Sequence, residues 1–238
     1  MKTKKSETEF YCKKALKRFE NMKGEDEENP EQKTGFRIFA DESVPTFFRR
    51  PDVSPDGELF LLPAGIWHKT PESRPEYCAF LYRKNFLEKP TFVLPTNGEP
   101  ALVCKFCPKL FKKTNEKKGV FTTPYYMVYA IATSSTVLVY STEQSRPLYA
   151  MGNYHYAALT DLSWKGASTL AISSSDGYCS FMMFQPNQLG EIYEPTGDLA
   201  DLMRVTEWVP KQVAKSENQQ LGGKTEPEGG EKGRVEYR

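Results

Sequence analysis

The 238-residue sequence predicts an all-β fold of about three β-propeller blades flanked by disordered termini, and three observations carry that expectation. Between residues 34 and 195 the apolar runs are four to eight residues long and are bounded by Pro, Gly, Asn, Ser and Asp, the pattern of strands and turns. No β-α-β spacing separates the runs. A strand–turn–strand unit recurs at blade length, which favours a propeller over a sandwich.

Residues 1–33 hold nine basic side chains interrupted by the acidic run Glu25-Asp26-Glu27-Glu28. This is charge segregation rather than a packing pattern, so a partly disordered segment is expected. Strands are expected at Glu58–Leu62, Tyr77–Tyr82, Thr91–Leu94, Ala101–Cys107, Tyr126–Thr133, Thr136–Tyr140, Pro147–Met151, Leu159–Trp164, Thr169–Ser173 and Tyr178–Phe184. The repeat begins at Val53-Ser54-Pro55-Asp56-Gly57 followed by Glu58 to Leu62, and returns as Leu162-Ser163-Trp164-Lys165-Gly166 followed by Ser168 to Ile172. The second copy runs on through Asp176-Gly177, a strong hairpin signal, into one more strand. That is the inner three-strand core of a WD40 blade. A middle unit fits at Phe106, with anchors Val53, Phe106 and Leu162 spaced 53 and 56 residues apart. Insertions near 66–76 and 110–124 absorb the excess over the usual repeat of about 40 to 45 residues. Thereafter residues 196–210 carry Leu199, Leu202, Met203 and Val209 at near-helical spacing, predicting a short helix capped by Thr196 or Asp198 and packed on the last blade. Residues 211–238 are rich in glycine and charge and are expected to be disordered.

Composition narrows the function classes. With 32 Lys+Arg against 31 Asp+Glu the formal charge is +1, so no global basic field holds nucleic acid, and direct sequence-specific DNA binding is not expected. The longest uncharged apolar run, Tyr125 to Ala132, is far shorter than the roughly 20 residues of a membrane helix. Without an apolar leader or an Asn-x-Ser/Thr sequon the expectation is cytosol or nucleus. Five cysteines, an odd number, make a poor disulfide framework. Cys104 and Cys107 have C-x-x-C spacing, but no second ligand pair follows, so they read as buried thiols in a strand ending at Pro108, and Cys78 and Cys179 read the same way. No metal or cofactor is expected, and no catalytic residue: no phosphate-binding glycine loop or assignable carboxylate pair appears, and no nucleophile can be assigned to His155. His68 is expected to be solvated.

The strings Phe36 to Glu42, Phe47-Phe48-Arg49-Arg50, Ser54-Pro55-Asp56-Gly57, Leu62-Pro63-Ala64-Gly65, Tyr154-His155-Tyr156 and Ser175 to Ser180 together resemble the C-terminal blades of the WD40 middle subunits, the B-type subunits, of chromatin assembly factor 1. The resemblance covers roughly residues 36 to 192. It implies a non-enzymatic histone chaperone subunit that helps deliver histones H3 and H4 onto newly replicated DNA in the nucleus. The implied partners are the large and small subunits of that complex, the histones and the anti-silencing function histone chaperone, whose short binding motif Gly233-Arg234-Val235 resembles faintly. The family ring has seven blades where about three are visible, so either the sequence is a piece of a longer ring or another chain supplies the rest, and open sheet edges are expected. A generic WD40 adaptor is the alternative, and copurification with histones discriminates the two.

Two groups of residues stand out. His155 precedes Asp176 by 21 positions, where WD40 blades place a histidine that hydrogen-bonds the aspartate of a strand-joining turn, so His155, Asp176 and Gly177 are expected to form a structural set. Phe47, Phe48, Arg49 and Arg50 set two aromatics beside two guanidinium groups, a composition favoured in interfaces, although one packed Phe beside solvated arginines fits equally. Lys13-Lys14-Ala15-Leu16-Lys17-Arg18 reads as a nuclear localisation patch or a solvated helix face.

Overall fold

The computed structural model describes residues 14–16, 18–19, 36–44, 46, 48–70, 73–113 and 120–206. Of two compact units, Met1–Glu207 and Trp208–Arg238, the second lies outside the described residues, as do the proposed disordered tail and most of the N-terminal segment. In chain order the strands are β1 (Arg18–Phe19), β2 (Phe36–Arg37), β3 (Asp52–Val53), β4 (Leu59–Trp67), β5 (Glu76–Arg83), β6 (Phe92–Pro95) and β7 (Val103–Lys112). They continue with β8 (Tyr125–Ala132), β9 (Thr136–Ser141), β10 (Gln144–Gly152), β11 (Leu159–Lys165), β12 (Thr169–Ser174), β13 (Cys179–Met183) and β14 (Ile192–Tyr193), and helix α1 spans Asp198–Thr206.

Three antiparallel sheets form the blades: β3-β4-β5-β6, then β10-β9-β8-β7-β14, then β11-β12-β13, while β1 and β2 pair separately. The repeat anchors Val53, Phe106 and Leu162 fall on β3, β7 and β11, the first strand of each sheet. Alternation on β8 explains why its sequence is apolar without a break. Tyr125, Met127, Tyr129 and Ile131 pack with Leu59, Leu61, Leu81 and Leu94 of the first sheet, whereas Val128, Ala130 and Ala132 pack with Leu162, Leu170 and Ile172 of the third. The centre of the middle sheet, β7 to β9, is therefore buried on both faces, while β10 is exposed along most of its length. A smaller cluster of Ile38, Cys78, Phe80 and Tyr82, joined by Leu16, covers the far face of the first sheet.

Several strands depart from the sequence expectation. Strand β7 does not end at Pro108 but continues to Lys112, because a register shift between Phe106 and Leu110 places the proline, which has no N–H to give, in an irregularity of the ladder. Likewise β4 runs past Leu62 to Trp67 through a register shift at Pro63-Ala64, where Ala64 takes φ 56. The two-residue strand β14 pairs with Leu110 and Phe111 of the middle sheet, carrying the chain away from the third sheet. Consequently α1 does not pack on the last blade: Leu199 and Met203 lie against the core between the first and middle sheets. Its first backbone bond runs from Ala200 N–H to the carbonyl of Gly197, which makes Gly197 the capping position in place of Thr196 or Asp198. Asp198 and Asp201 then sit in the first turn, where the helix dipole favours negative charge.

Cys78, Cys104 and Cys107 are buried, and burial pushes the Cys78 and Cys107 thiols up to about 12, so they stay protonated. Cys179 differs from the expectation and is exposed, because it lies on the same face of β13 as the exposed Phe181 and Met183. The hydroxyl of Tyr129 is buried without a hydrogen-bond partner among the described residues, stacked on Tyr140 with ring centroids 5.8 Å apart. Removing an unsatisfied buried hydroxyl relieves its desolvation cost, so Tyr129→Phe is expected to be neutral or to stabilise by up to about 1 kcal/mol. Urea denaturation midpoints check this, and a loss above about 1 kcal/mol would reveal a hidden partner.

Candidate functional site

The loop end of the third sheet gathers three side chains into one hydrogen-bonded chain. The turn between β12 and β13 closes with Gly177 N–H on the Ser174 carbonyl at 3.2 Å, and Gly177 has φ 88, a conformation that glycine adopts without a Cβ penalty. Asp176 in this turn receives His155 Nδ1 at 3.0 Å, and His155 Nε2 stands 2.8 Å from Ser180 Oγ on β13. The carboxylate fixes the tautomer in which Nδ1–H donates to it, leaving Nε2 to accept from the Ser180 hydroxyl. The same carboxylate accepts the backbone N–H groups of Tyr156 at 3.0 Å and Tyr178 at 2.9 Å. Burial pushes the Asp176 carboxyl up, but the donors Tyr178, His155, Tyr156 and Ser174 outweigh it and hold the group down at about 2.

Ser180 was not singled out from the sequence, although a lone hydroxyl in the apolar strand Cys-Ser-Phe-Met-Met is the signal that marks it. Its contact holds the imidazole between the Asp176 carboxylate and a strand hydroxyl. The His155 side chain is only 5% exposed and both ring nitrogens are engaged.

The middle sheet solves the same joint with the acid on the other partner. Glu99, in the loop before β7, accepts Ser134 Oγ at 2.9 Å, Ser135 N–H at 3.1 Å and Ser135 Oγ at 2.8 Å from the turn between β8 and β9. Burial raises the Glu99 carboxyl, and the hydroxyls of Thr133, Ser135 and Ser134 more than reverse this, so the net shift is downward. The hydroxyl run Thr133-Ser134-Ser135-Thr136 was the available sequence signal.

Phe47 lies outside the described residues. Arg50 sits 4.2 Å over the exposed Phe48 ring, makes a long ion pair of 3.5 Å with Asp161 on β11, and bridges its backbone to β7 through Leu102 and Cys104 at 2.9 Å each. Arg49 donates to the carbonyls of Ala40 and Asp41. The arginines are thus bound to the fold rather than merely solvated. His68 is also not simply solvated: its Nδ1 is 3.0 Å from the Ser73 carbonyl. Of the basic patch, Lys14 makes a long contact of 3.8 Å with Glu88, and Lys13 and Lys17 lie outside the described residues. Among the described residues no cluster of His, Cys, Asp and Glu is arranged to hold a metal ion.

Comparison with known proteins gives one family-model match, the CAF1B/HIR1 beta-propeller domain, over residues 4–189. The B-type subunit of chromatin assembly factor 1 from Saccharomyces cerevisiae is 34% identical over 196 residues, covering 78% of this chain and 41% of that protein. Its counterpart from Mus musculus, also a B-type subunit of chromatin assembly factor 1, is 37% identical over 166 residues, covering 65% of this chain and 29% of that protein. Protein HIR2 of Saccharomyces cerevisiae is 30% identical over 165 residues, covering 68% of this chain and 18% of that protein. The chain therefore spans less than half the length of these relatives.

Proposed function

Because the chain belongs to the CAF1B/HIR1 β-propeller family, we propose that it is a non-enzymatic WD40 subunit of a nuclear histone chaperone complex of the chromatin assembly factor 1 type. The observation that carries this reading is the family match across most of the chain, with higher identity to chromatin assembly factor subunits than to the HIR protein. In it the large and small subunits of that complex and histones H3–H4 are the partners, and deposition of the histones on newly replicated DNA is the task. Contact with the anti-silencing function chaperone through Gly233-Arg234-Val235 belongs to the same reading, and that segment lies outside the described residues.

His155, Asp176 and Gly177 serve this function as structure. A ring only 5% exposed, with both nitrogens occupied, ties a loop, a turn and a strand together, and it offers no lone pair to a substrate. Phe48, Arg49 and Arg50 are the proposed contact surface.

The test is a pull-down of the tagged full chain from nuclear extract. Recovery of the large subunit together with H3–H4 is the expected result, and absence of both favours a generic WD40 adaptor. Exchanging Arg49 and Arg50 for Glu would strike the fold as well, since Arg49 holds two carbonyls and Arg50 meets Asp161. Phe48→Ala is the sharper variant, because the ring is exposed and the arginine contacts to backbone remain. Loss of one partner at unchanged thermal stability assigns the cluster to the interface, whereas full recovery assigns it to the fold.

A further inference from the structure

We propose that the loop end of the third sheet, rimmed by Tyr154, Tyr156 and Tyr178, is a docking surface for a lysine- or arginine-bearing peptide segment of a partner. The placement starts from one carboxylate. Asp176 accepts the backbone N–H groups of both Tyr156 and Tyr178, so two tyrosines are pinned at the backbone while their side chains are 98% and 68% exposed. Tyr154 stands two residues before Tyr156, on the other side of the buried His155, and is 72% exposed. Backbones already fixed by hydrogen bonds lose little further freedom on binding, and tyrosine is the kind of side chain on which binding energy concentrates.

Charge selects the occupant. Glu99 is bonded to Ser135, whose carbonyl accepts the N–H of Asn153, the residue next to Tyr154, so a second carboxylate adjoins the same loop. Asp176 and Glu99 both stay ionised at neutral pH, being held below the ordinary carboxylate range by their donors. In sequence no Lys or Arg lies between Arg146 and Lys165 or between Lys165 and Arg204, and Lys165 closes β11 at the end opposite Leu159. Asp176 is 8% exposed and filled by its donors, so it positions the tyrosines, while the tyrosine faces and the part-buried Glu99 meet a partner without a cation of the loop's own to answer them. An ammonium or guanidinium group is attracted to the ring faces, and its aliphatic stem covers them, whereas an acidic segment is repelled. This inference stands on exposure and charge and does not require the chromatin reading.

The test measures fluorescence anisotropy of the full chain with two labelled 15-residue probes, one alternating Lys or Arg with Leu and Val, the other carrying Glu in place of the cations. Preferential binding of the basic probe is expected, weakening with salt as screening demands. The Tyr156→Ala/Tyr178→Ala variant should bind it at least tenfold more weakly, and Tyr156→Phe/Tyr178→Phe should retain binding. Glu99→Gln, which keeps the tyrosines, should weaken the basic probe by a few fold. Far-UV circular dichroism establishes that each variant is folded, and the Phe and Gln variants keep the test decisive if the alanine pair is not. Equal binding of both probes, no binding of either, or unchanged affinity in the alanine pair would overturn the proposal. So would light scattering that finds the surface occupied by a second copy of the chain.

Discussion

Exchanging Gly65 for valine is expected to cost about 3 kcal/mol of folding stability, at the upper end of what overpacking a core does. A Cβ on Gly65 would stand 2.7 Å from Phe80 Cε2 and 2.9 Å from Cys78 Sγ, distances that real side chains essentially never show. Neither neighbour has room to yield. Phe80 is fully buried and meets Phe39 and Tyr82 edge-on at 5.9 and 6.0 Å, and Cys78 pairs with Gly65 in the strand register. Gly65 also bridges to Phe39, so β4 cannot shift outward without releasing the segment that covers the first sheet. Gly65→Ala should cost less, about 1 to 2 kcal/mol, and pairing it with Cys78→Ala should recover part of the loss because the Sγ contact is gone. Urea midpoints on the four proteins measure the coupling. A valine variant within 0.5 kcal/mol of the parent would show that the strand moves where the packing says it cannot.

The residues that were legible in the sequence are those whose neighbours are local. All ten expected strands have counterparts, since each is a run of alternating or two-faced apolar residues closed by a turn, as in β8, where odd and even positions feed two different cores. The Asp176-Gly177 turn was legible for the same reason, being short and chemically specific. What escaped depends on pairing across long separations. Strand β14 is two residues long and is defined only by the partner opposite it: Ile192 faces Phe111, and nothing around Ile192 announces it. The path of α1 follows from β14, so its packing partner escaped with it. Pro108 misled because a proline normally stops a ladder, and only the register on β8 reveals the irregularity that accommodates it. At the candidate site, Ser180 and Glu99 were missed because a single hydroxyl or carboxylate gains meaning only when the fold brings His155 or Ser135 to it.

The joint around His155 should prove the second weak point of the fold. His155→Ala removes two hydrogen bonds at a buried position, to Asp176 at 3.0 Å and Ser180 at 2.8 Å, and leaves both partners short of a donor or acceptor. A loss of about 2 to 3 kcal/mol is expected, because stranding buried polar groups costs more than a hydrogen bond contributes. The damage should be local. Hydrogen exchange at Tyr156 and Tyr178, whose N–H groups rest on Asp176, should quicken at least tenfold while the β8 amides between the two cores hold. Acid tests the same joint with the opposite sign of intervention. Asp176 is depressed to about 2 in the folded chain, against an ordinary carboxylate near 4, so its ionised form contributes stability above the unfolded value. That contribution fades as pH falls from about 4 through 2 and is fully lost below the folded value. Denaturant midpoints between pH 5 and 2 should therefore drop more steeply for the parent than for Asp176→Asn, which begins lower and has no proton to take up. Parallel pH profiles for the two proteins, or a His155→Ala variant as stable as the parent, would remove His155 and Asp176 from any role in holding the third sheet.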